Sequence, residues 1–386
     1  MSYFDNGAQY KCSQCGRKFP ITEIHYLCED CGRNWQTGTP LTGVLETIFD
    51  YDLISEYLDT IEPDWSLLSA IDNLYFPNYP VGKTPFVYAQ DLSNEHNLYI
   101  KFEGTNPSGS LKDRASFLVV AQALQFGNKE IVCASTGNAA SALASVCAAA
   151  RIKAIIYVPA SAPRAKLVQM QLAGADVRKI DGSYNDAFAA SIEHTKKHGT
   201  LNRNTSYHPL TIEGKKTVSF EIFQQNNFYN PDYIIVPVGD GVILAGVYKG
   251  FCDLFQIGVI DRLPCLISVQ AESSDAVNRY IETGNYSDAE NPTTLADSIS
   301  VKTPANLYMA AKAIKQTQGL TVTVSDEEIF PAQKEMFRKT GIFAEPAASA
   351  SMAAYTKLKS VLEPDSQVVL LVTGHGLKDI ESIPDE

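Results

Sequence analysis

The sequence predicts an α/β protein built from two parallel-sheet lobes, and three observations carry that expectation. From Glu130 to Asn204 short apolar runs alternate with helical patterns, the signature of a parallel sheet with helices on both faces. The same style returns in the second half, with apolar runs at residues 233–238, 265–270 and 367–372. Ahead of both lies Glu103-Gly104-Thr105-Asn106-Pro107-Ser108-Gly109-Ser110-Leu111-Lys112-Asp113-Arg114, a turn that delivers one lysine to a helix start. With 386 residues, 45% hydrophobic and 20% charged, the chain can bury sizeable cores in two or three domains.

In order, Gly82-Lys83-Thr84-Pro85 opens the main domain after an acidic, aromatic linker that runs through Trp65. Residues 97–102 form a strand into the lysine turn, and residues 115–126 a helix closed by Gly127 as its C′ glycine. Strands follow at 131–134, 153–158, 175–180 and 200–204. Between them helices are expected from about Asn138, over 164–172 with Gly174 as the stop, and over 185–197. In the second half helices are expected around 244–254, 306–315, 326–340 and 347–361. No internal repeat interrupts this plan.

The N-terminus carries its own signal. Cys12-x-x-Cys15 and Cys28-x-x-Cys31 are two knuckles twelve residues apart, each followed by glycine (Gly16, Gly32). A glycine there can adopt the positive φ that turns backbone N–H groups toward sulfur. Four thiolates so spaced suit tetrahedral zinc, in a structural role because four sulfurs leave no open position. The other readings are two disulfides, disfavoured in a cytosolic chain, or knuckles that have lost their metal. Residues 1–40 balance four positive charges against four negative ones, and the whole chain carries −12. A non-specific nucleic-acid surface is therefore not expected. Cys133, Cys147, Cys252 and Cys265 read as core. The first residues lack a charged segment followed by an apolar one, and no apolar run approaches a bilayer span, so the expectation is cytoplasmic, without membrane contact.

Four further segments sit at strand ends, where open α/β sheets bind ligands. At a helix N-terminus the free N–H groups disfavour another positive charge, so the Lys112 amine has reason to be neutral and nucleophilic. Ser135-Thr136-Gly137-Asn138 offers hydroxyls and N–H groups that suit a substrate carboxylate, or it is a plain N-cap turn. Gly239-Asp240-Gly241-Val242-Ile243 presents N–H groups that suit a phosphate, or it is ordinary strand-to-helix punctuation. Asp240 would repel such a phosphate, so its side chain is expected to point away. The remaining two are Thr373-Gly374-His375-Gly376-Leu377-Lys378-Asp379 and Gly341-Ile342-Phe343-Ala344-Glu345-Pro346.

The lysine string resembles N-P-x-G-S-x-K-D-R of the fold-type-II (tryptophan synthase β-like) enzymes that use pyridoxal 5′-phosphate (PLP). The resemblance spans about residues 80–380, with all segments in family order. It implies that Lys112 holds the cofactor covalently and that Asn138 meets the cofactor's 3′-oxygen. It further implies that Ser135, Thr136, Gly137 and Asn138 hold the substrate carboxylate, and that Gly239 to Ile243 cup the cofactor phosphate. The ending resembles T-G-(N/H)-G-L-K-D of threonine synthases, which implies a Thr373 hydroxyl at the pyridine nitrogen. His375 would be a general acid or base, or a packed loop residue. Ile212-Glu213-Gly214-Lys215-Lys216-Thr217 and Leu295-Ala296-Asp297-Ser298-Ile299 point the same way, as does the zinc-ribbon-like extension.

Two departures stand out: Ala139 replaces a threonine, and His208-Pro209-Leu210-Thr211 lacks the asparagine and arginine usual before this element. His208, Arg164 or Lys166 would then supply the lost anion contact. The implied reaction turns O-phospho-L-homoserine and water into L-threonine and phosphate. The alternative is β-elimination or β-replacement, as in a threonine or serine ammonia-lyase or a cysteate-synthase-like enzyme acting on O-phosphoserine. A non-catalytic module of the same fold, with its ribbon recruiting a partner, is a third reading. The expected division is 1–40 for the ribbon-like four-cysteine module, 41–128 with 213–386 for the large PLP-binding domain, and 129–212 for a small mobile lobe. The resemblance also implies a homodimer.

Overall fold

The computed structural model describes residues 5–58 and 63–382, so parts of the expected N-terminal module (1–4) and linker (59–62) lie outside the described residues. By contacts the chain groups into two units: residues 1–81, 112–217 and 256–259, and residues 82–111, 218–255 and 260–386.

In the first unit the N-terminal strands β1 (Gln9–Cys12), β2 (Lys18–Pro20) and β3 (Leu45–Ile48) form an antiparallel sheet in the order β2-β1-β3. The short helix α1 (Tyr51–Tyr57) follows, its first turn capped by the Asp50 carboxylate. In the second unit β4 (Phe86–Tyr88) and β5 (Asn97–Phe102) pair antiparallel and lead into the lysine turn. Helix α2 (Lys112–Phe126) then opens the main part of the first unit. It begins at the lysine itself, three residues earlier than the apolar pattern indicates.

A βα alternation follows: β6 (Glu130–Ala134), α3 (Asn138–Ala150), β7 (Lys153–Pro159), α4 (Arg164–Leu172), β8 (Asp176–Ile180), α5 (Tyr184–His198) and β9 (Leu201–Asn202). The four strands are parallel, in the order β8-β7-β6-β9. Helix α5 shows why its ends lie where they do. Ser183 and Asp186 exchange hydrogen bonds at its start, and Gly199 (φ 68°) ends it in the left-handed region. Helix α6 (Leu210–Lys215) crosses α2 closely enough that only a glycine fits at 214; an ideal Cβ there would lie 2.9 Å from Ala115 Cα and closer still to the Arg114 carbonyl. One apolar core runs from Tyr10, Cys12, Phe19 and Cys28 through Leu118 to Ala123 of α2 and on to β6 and β7.

The second unit continues with α7 (Thr217–Gln225), β10 (Tyr233–Pro237), α8 (Val242–Gln256), β11 (Cys265–Ala271), α9 (Ala276–Thr283) and α10 (Leu307–Gln316). It ends with β12 (Leu320–Val324), α11 (Asp326–Thr340), α12 (Pro346–Leu358) and β13 (Gln367–Val372). Its six strands run β12-β11-β10-β13-β5-β4, parallel except for edge strand β4. The alanine-rich α12 is buried along nearly its whole length and packs against β10, β11 and β13. Small side chains allow that close approach of helix to sheet. Strand β12 and helices α6, α7 and α9 add to the elements the apolar pattern marks, being short or polar on one face. Among the described residues no helix is long and apolar enough to cross a membrane.

Candidate active site

The turn before Lys112 is fixed by backbone bonds within the second unit. Gly109, at φ 89°, donates its N–H to the Asn106 carbonyl at 2.7 Å. The Leu111 N–H reaches the Thr373 carbonyl at 2.9 Å, and the His375 N–H reaches the Gly109 carbonyl at 3.0 Å. Thus the chain that delivers Lys112 is stitched to the segment containing Thr373. The Thr373 side chain is 5% exposed at the end of β13, and its hydroxyl makes no hydrogen bond among the described residues. His375 Nδ1 accepts from the Leu377 N–H at 3.1 Å, and its ring packs by Phe102 and Phe343.

Behind this turn lies a network that the sequence reading missed. Glu103 is fully buried, accepting from the Thr84 hydroxyl at 2.6 Å and the Asn106 amide at 2.9 Å. Buried Lys101 reaches Glu221 at 2.7 Å, Gln225 at 2.7 Å and the Thr84 carbonyl at 2.8 Å. These bonds satisfy charges that would be costly if left alone in the core. Thr84 belongs to Gly82-Lys83-Thr84-Pro85, and Glu103 and Asn106 to the lysine turn; neither local pattern indicates that they meet.

Gly239 to Ile243 joins β10 to α8. An ideal Cβ at Gly239 would lie 2.8 Å from the Ser298 carbonyl; one at Gly241 (φ 86°) would lie 2.9 Å from Ala310 Cβ. Both positions therefore need glycine. The first backbone bond of α8 runs from the Ala245 N–H to the Gly241 carbonyl at 3.1 Å, so the N–H groups of Val242 and Ile243 precede the helical ladder and suit an anion. The Asp240 carboxylate accepts from the Ala305 N–H, and its carbonyl from the Asn306 N–H. That acidic side chain is committed to the turn before α10.

In the first unit, Ser135 to Asn138 joins β6 to α3. The Ser135 hydroxyl accepts from the Gly137 N–H at 3.2 Å, and Asn138 is the first residue of α3. Among the described residues, and apart from its own chain neighbours, no atom lies within 4 Å of an ideal Cβ at Gly137, so the turn is open on that side. Ala139 follows in the first turn of the helix. Lys112 opens α2, its carbonyl 3.5 Å from Arg203 Nη2, while Arg203 Nε donates to the buried Ser116 hydroxyl at 3.0 Å.

Two sequence expectations require correction. His208 is 0% exposed, and burial with the nearby Arg203 charge takes its pKa down to about 3 from the ordinary 6.5. A neutral, enclosed imidazole supplies no cationic anion contact. Nor does Gly32 adopt a positive φ, although Gly16 does. Gly32 is required by crowding, with an ideal Cβ 2.8 Å from Leu27 Cβ and 2.9 Å from the Cys28 carbonyl, while Gly43 (φ 69°) makes the turn.

The sulfurs of Cys12, Cys15, Cys28 and Cys31 lie within 4.8 Å of one another, and all four cysteines are free. Cys15 and Cys28 are 3.7 Å apart; tetrahedral zinc with ~2.3 Å bonds sets sulfurs ~3.8 Å apart. The donor set fits one metal ion.

Residues 78–374 match a family model described as "Pyridoxal-phosphate dependent enzyme". A threonine synthase of Methanosarcina acetivorans is 35% identical, over 97% of this chain and 93% of that protein. One of Methanocaldococcus jannaschii is 34% identical, over 96% and 92%. The chain belongs to the threonine synthase family of pyridoxal-phosphate-dependent enzymes. Solved structures agree on the fold of this family. Maize serine racemase matches with TM-score 0.66 at 22% identity, covering 77% of this chain and 89% of that one. The processed threonine deaminase isoform 2 of Solanum lycopersicum matches with TM-score 0.67 at 22% identity, covering 80% and 87%.

Proposed function

We propose that this protein is a threonine synthase, converting O-phospho-L-homoserine and water to L-threonine and phosphate. The observation that carries the reading is identity of about one third to two threonine synthases along nearly the whole length of each chain. The lysine, carboxylate and phosphate segments, each resembling the family's motif apart from Asp240, support the same reading. When bound, PLP supplies an electron sink for negative charge at the substrate α carbon.

Each group of residues then has a task. Lys112 holds the cofactor and, once released, moves protons at the α and β carbons. Ser135, Thr136, Gly137 and Asn138 hold the substrate carboxylate, with Asn138 also meeting the cofactor's 3′-oxygen. Gly239, Asp240, Gly241, Val242 and Ile243 cup the cofactor phosphate with backbone N–H groups. Thr373 donates or accepts at the pyridine nitrogen through its unengaged hydroxyl; a hydroxyl, unlike a carboxylate, does not enforce a protonated ring. Phosphate leaves the γ carbon and water adds at the β carbon, so the overall reaction balances with no redox partner. With His208 neutral, the contact to the substrate phosphate falls to Arg164 or Lys166 in the first turn of α4.

Cys12, Cys15, Cys28 and Cys31 hold a structural zinc ion in a ribbon-like extension. The division into 1–40, 41–128 with 213–386, and a mobile 129–212 lobe stays our proposal for how the chain moves. A cytoplasmic homodimer without nucleic-acid or membrane partners completes the reading.

Phosphate release from O-phospho-L-homoserine by purified, PLP-loaded protein is the test, with borohydride reduction and peptide mapping to tag Lys112. A loaded, Lys112-tagged protein that releases no phosphate would sink the substrate. Ala139 and the neutral His208 favour the second reading, β-elimination or β-replacement on a β-substituted amino acid such as O-phosphoserine. It is upheld if only such amino acids perturb the cofactor absorbance.

A further inference from the structure

The parallel pairing of β6 with β9 is short. It covers Ile131 with Leu201 and Val132 with Asn202, after which the Arg203 N–H reaches the Val132 carbonyl at 2.9 Å. Beyond that point β9 ends, and a side chain takes over the role of the missing strand. Asn204 Oδ1 accepts the Ala134 N–H at 2.7 Å. Ala134 is the last residue of β6, and Ser135 begins the turn proposed to hold the substrate carboxylate.

Asn204 is itself held at each polar group. It is 2% exposed. Its Nδ2 donates to the Ser191 hydroxyl at 2.6 Å, and its N–H to Asn202 Oδ1 at 2.8 Å. Asn202 Nδ2 donates to the Thr195 hydroxyl at 3.1 Å. The Asn202 N–H, on the free edge of β9, donates to the Tyr26 hydroxyl at 2.9 Å. Tyr26 lies between the two cysteine pairs and stacks on Tyr207 with ring centroids 4.7 Å apart. Hydrogen bonds therefore run unbroken from the cysteine-bearing segment through Asn202 and Asn204 to the residue before Ser135. A buried amide with every partner satisfied permits few alternative geometries.

We propose that Asn204 is a positioning residue for the Ser135–Asn138 turn, and that Tyr26 holds it in that role through Asn202. The proposal rests on the reading of this turn as the carboxylate site. Asn204 touches no substrate; it fixes where strand becomes turn, and so where the carboxylate donors point.

The experiment compares wild type with Asn204→Ala, Asn204→Asp and Tyr26→Phe, all PLP-loaded. The readouts are PLP content, zinc content, unfolding midpoint, and kcat and KM for O-phospho-L-homoserine. Asn204→Ala should keep its PLP and raise KM about tenfold while kcat changes less than about threefold, because a misaimed carboxylate site loses uniform binding. Asn204→Asp keeps an oxygen for the Ala134 N–H and should recover most of that loss. Tyr26→Phe should raise KM about threefold at unchanged zinc content. A lower midpoint with KM unchanged in Asn204→Ala and Tyr26→Phe would overturn the proposal. If Asn204→Ala does not fold, Tyr26→Phe alone decides on the same criterion. Failure of the substrate reading shows separately, as wild type inactive on O-phospho-L-homoserine. The comparison then uses the Kd of whichever amino acid perturbs the cofactor absorbance, with the same expected ratios.

Discussion

His208 shows how a residue's chemistry depends on its enclosure. In sequence it stands where an anion contact is wanted, yet the fold surrounds it with Tyr26 and Leu210 and keeps it uncharged. The sign of the consequence follows from linkage. The unfolded chain takes up a proton near pH 6.5 that the folded chain refuses until about pH 3. The contribution of His208 to stability is therefore complete above pH 6.5 and declines as pH falls from there toward 3, by up to about 1.4 kcal/mol per pH unit. Urea unfolding of His208→Asn across that window should show a shallower acid loss than wild type. Asparagine can still accept the Leu210 N–H that His208 Nδ1 accepts at 3.2 Å. Equal slopes would mean that His208 is protonated in the folded protein.

At the scale of elements, the glycine turn between β10 and α8 carries a sharp expectation. Gly241 combines a positive φ with a Cβ position 2.9 Å from Ala310 and 3.1 Å from the Asn306 carbonyl. An alanine there suffers both backbone strain and overpacking, costing about 2 kcal/mol or more. Gly241→Ala should lower the denaturant midpoint and weaken PLP binding together, read by unfolding and by cofactor titration. A stable variant with wild-type PLP affinity would remove this turn from the phosphate site. Much at this scale was legible beforehand, since apolar periodicity marked most strands and helices of both lobes. The exceptions have physical reasons. Helix α2 starts at Lys112 because the turn ends there through Gly109 and Leu111, whereas the apolar pattern begins only at Ala115. Strand β12 alternates threonine with valine over only five residues, a half-buried strand pattern too short to stand out beside the continuous apolar runs.

Across the whole molecule, the N-terminal cysteines are part of a larger core. Cys12, Cys28 and Tyr10 sit in one apolar cluster with α2, and the Tyr10 hydroxyl accepts from Gln122 of that helix at 3.1 Å. The proposed zinc ion would therefore stabilise the unit that contains Lys112. Wild-type protein should carry one zinc per chain by elemental analysis, and Cys15→Ser should lose it and melt at least about 4 °C lower. Full zinc loss with an unchanged melting point would show that the extension is held by packing alone. The contact grouping also places α2 with the β6 to β9 sheet, which no local pattern announces. Helix α2 carries apolar residues around most of its surface, so its sequence does not say which sheet it serves.

What the sequence determined by itself is local in origin. Alternating strands and helices, a lysine at a helix start, glycine turns at strand ends and the spacing of four cysteines all arise from near neighbours. Tertiary structure decided what depends on distant ones: Asn204 reaching Ala134 across 70 residues, the crowding that demands Gly32, and the burial that silences His208. Those properties are set by which surfaces meet, and side chains far apart in the chain meet only once their sheets and helices have packed.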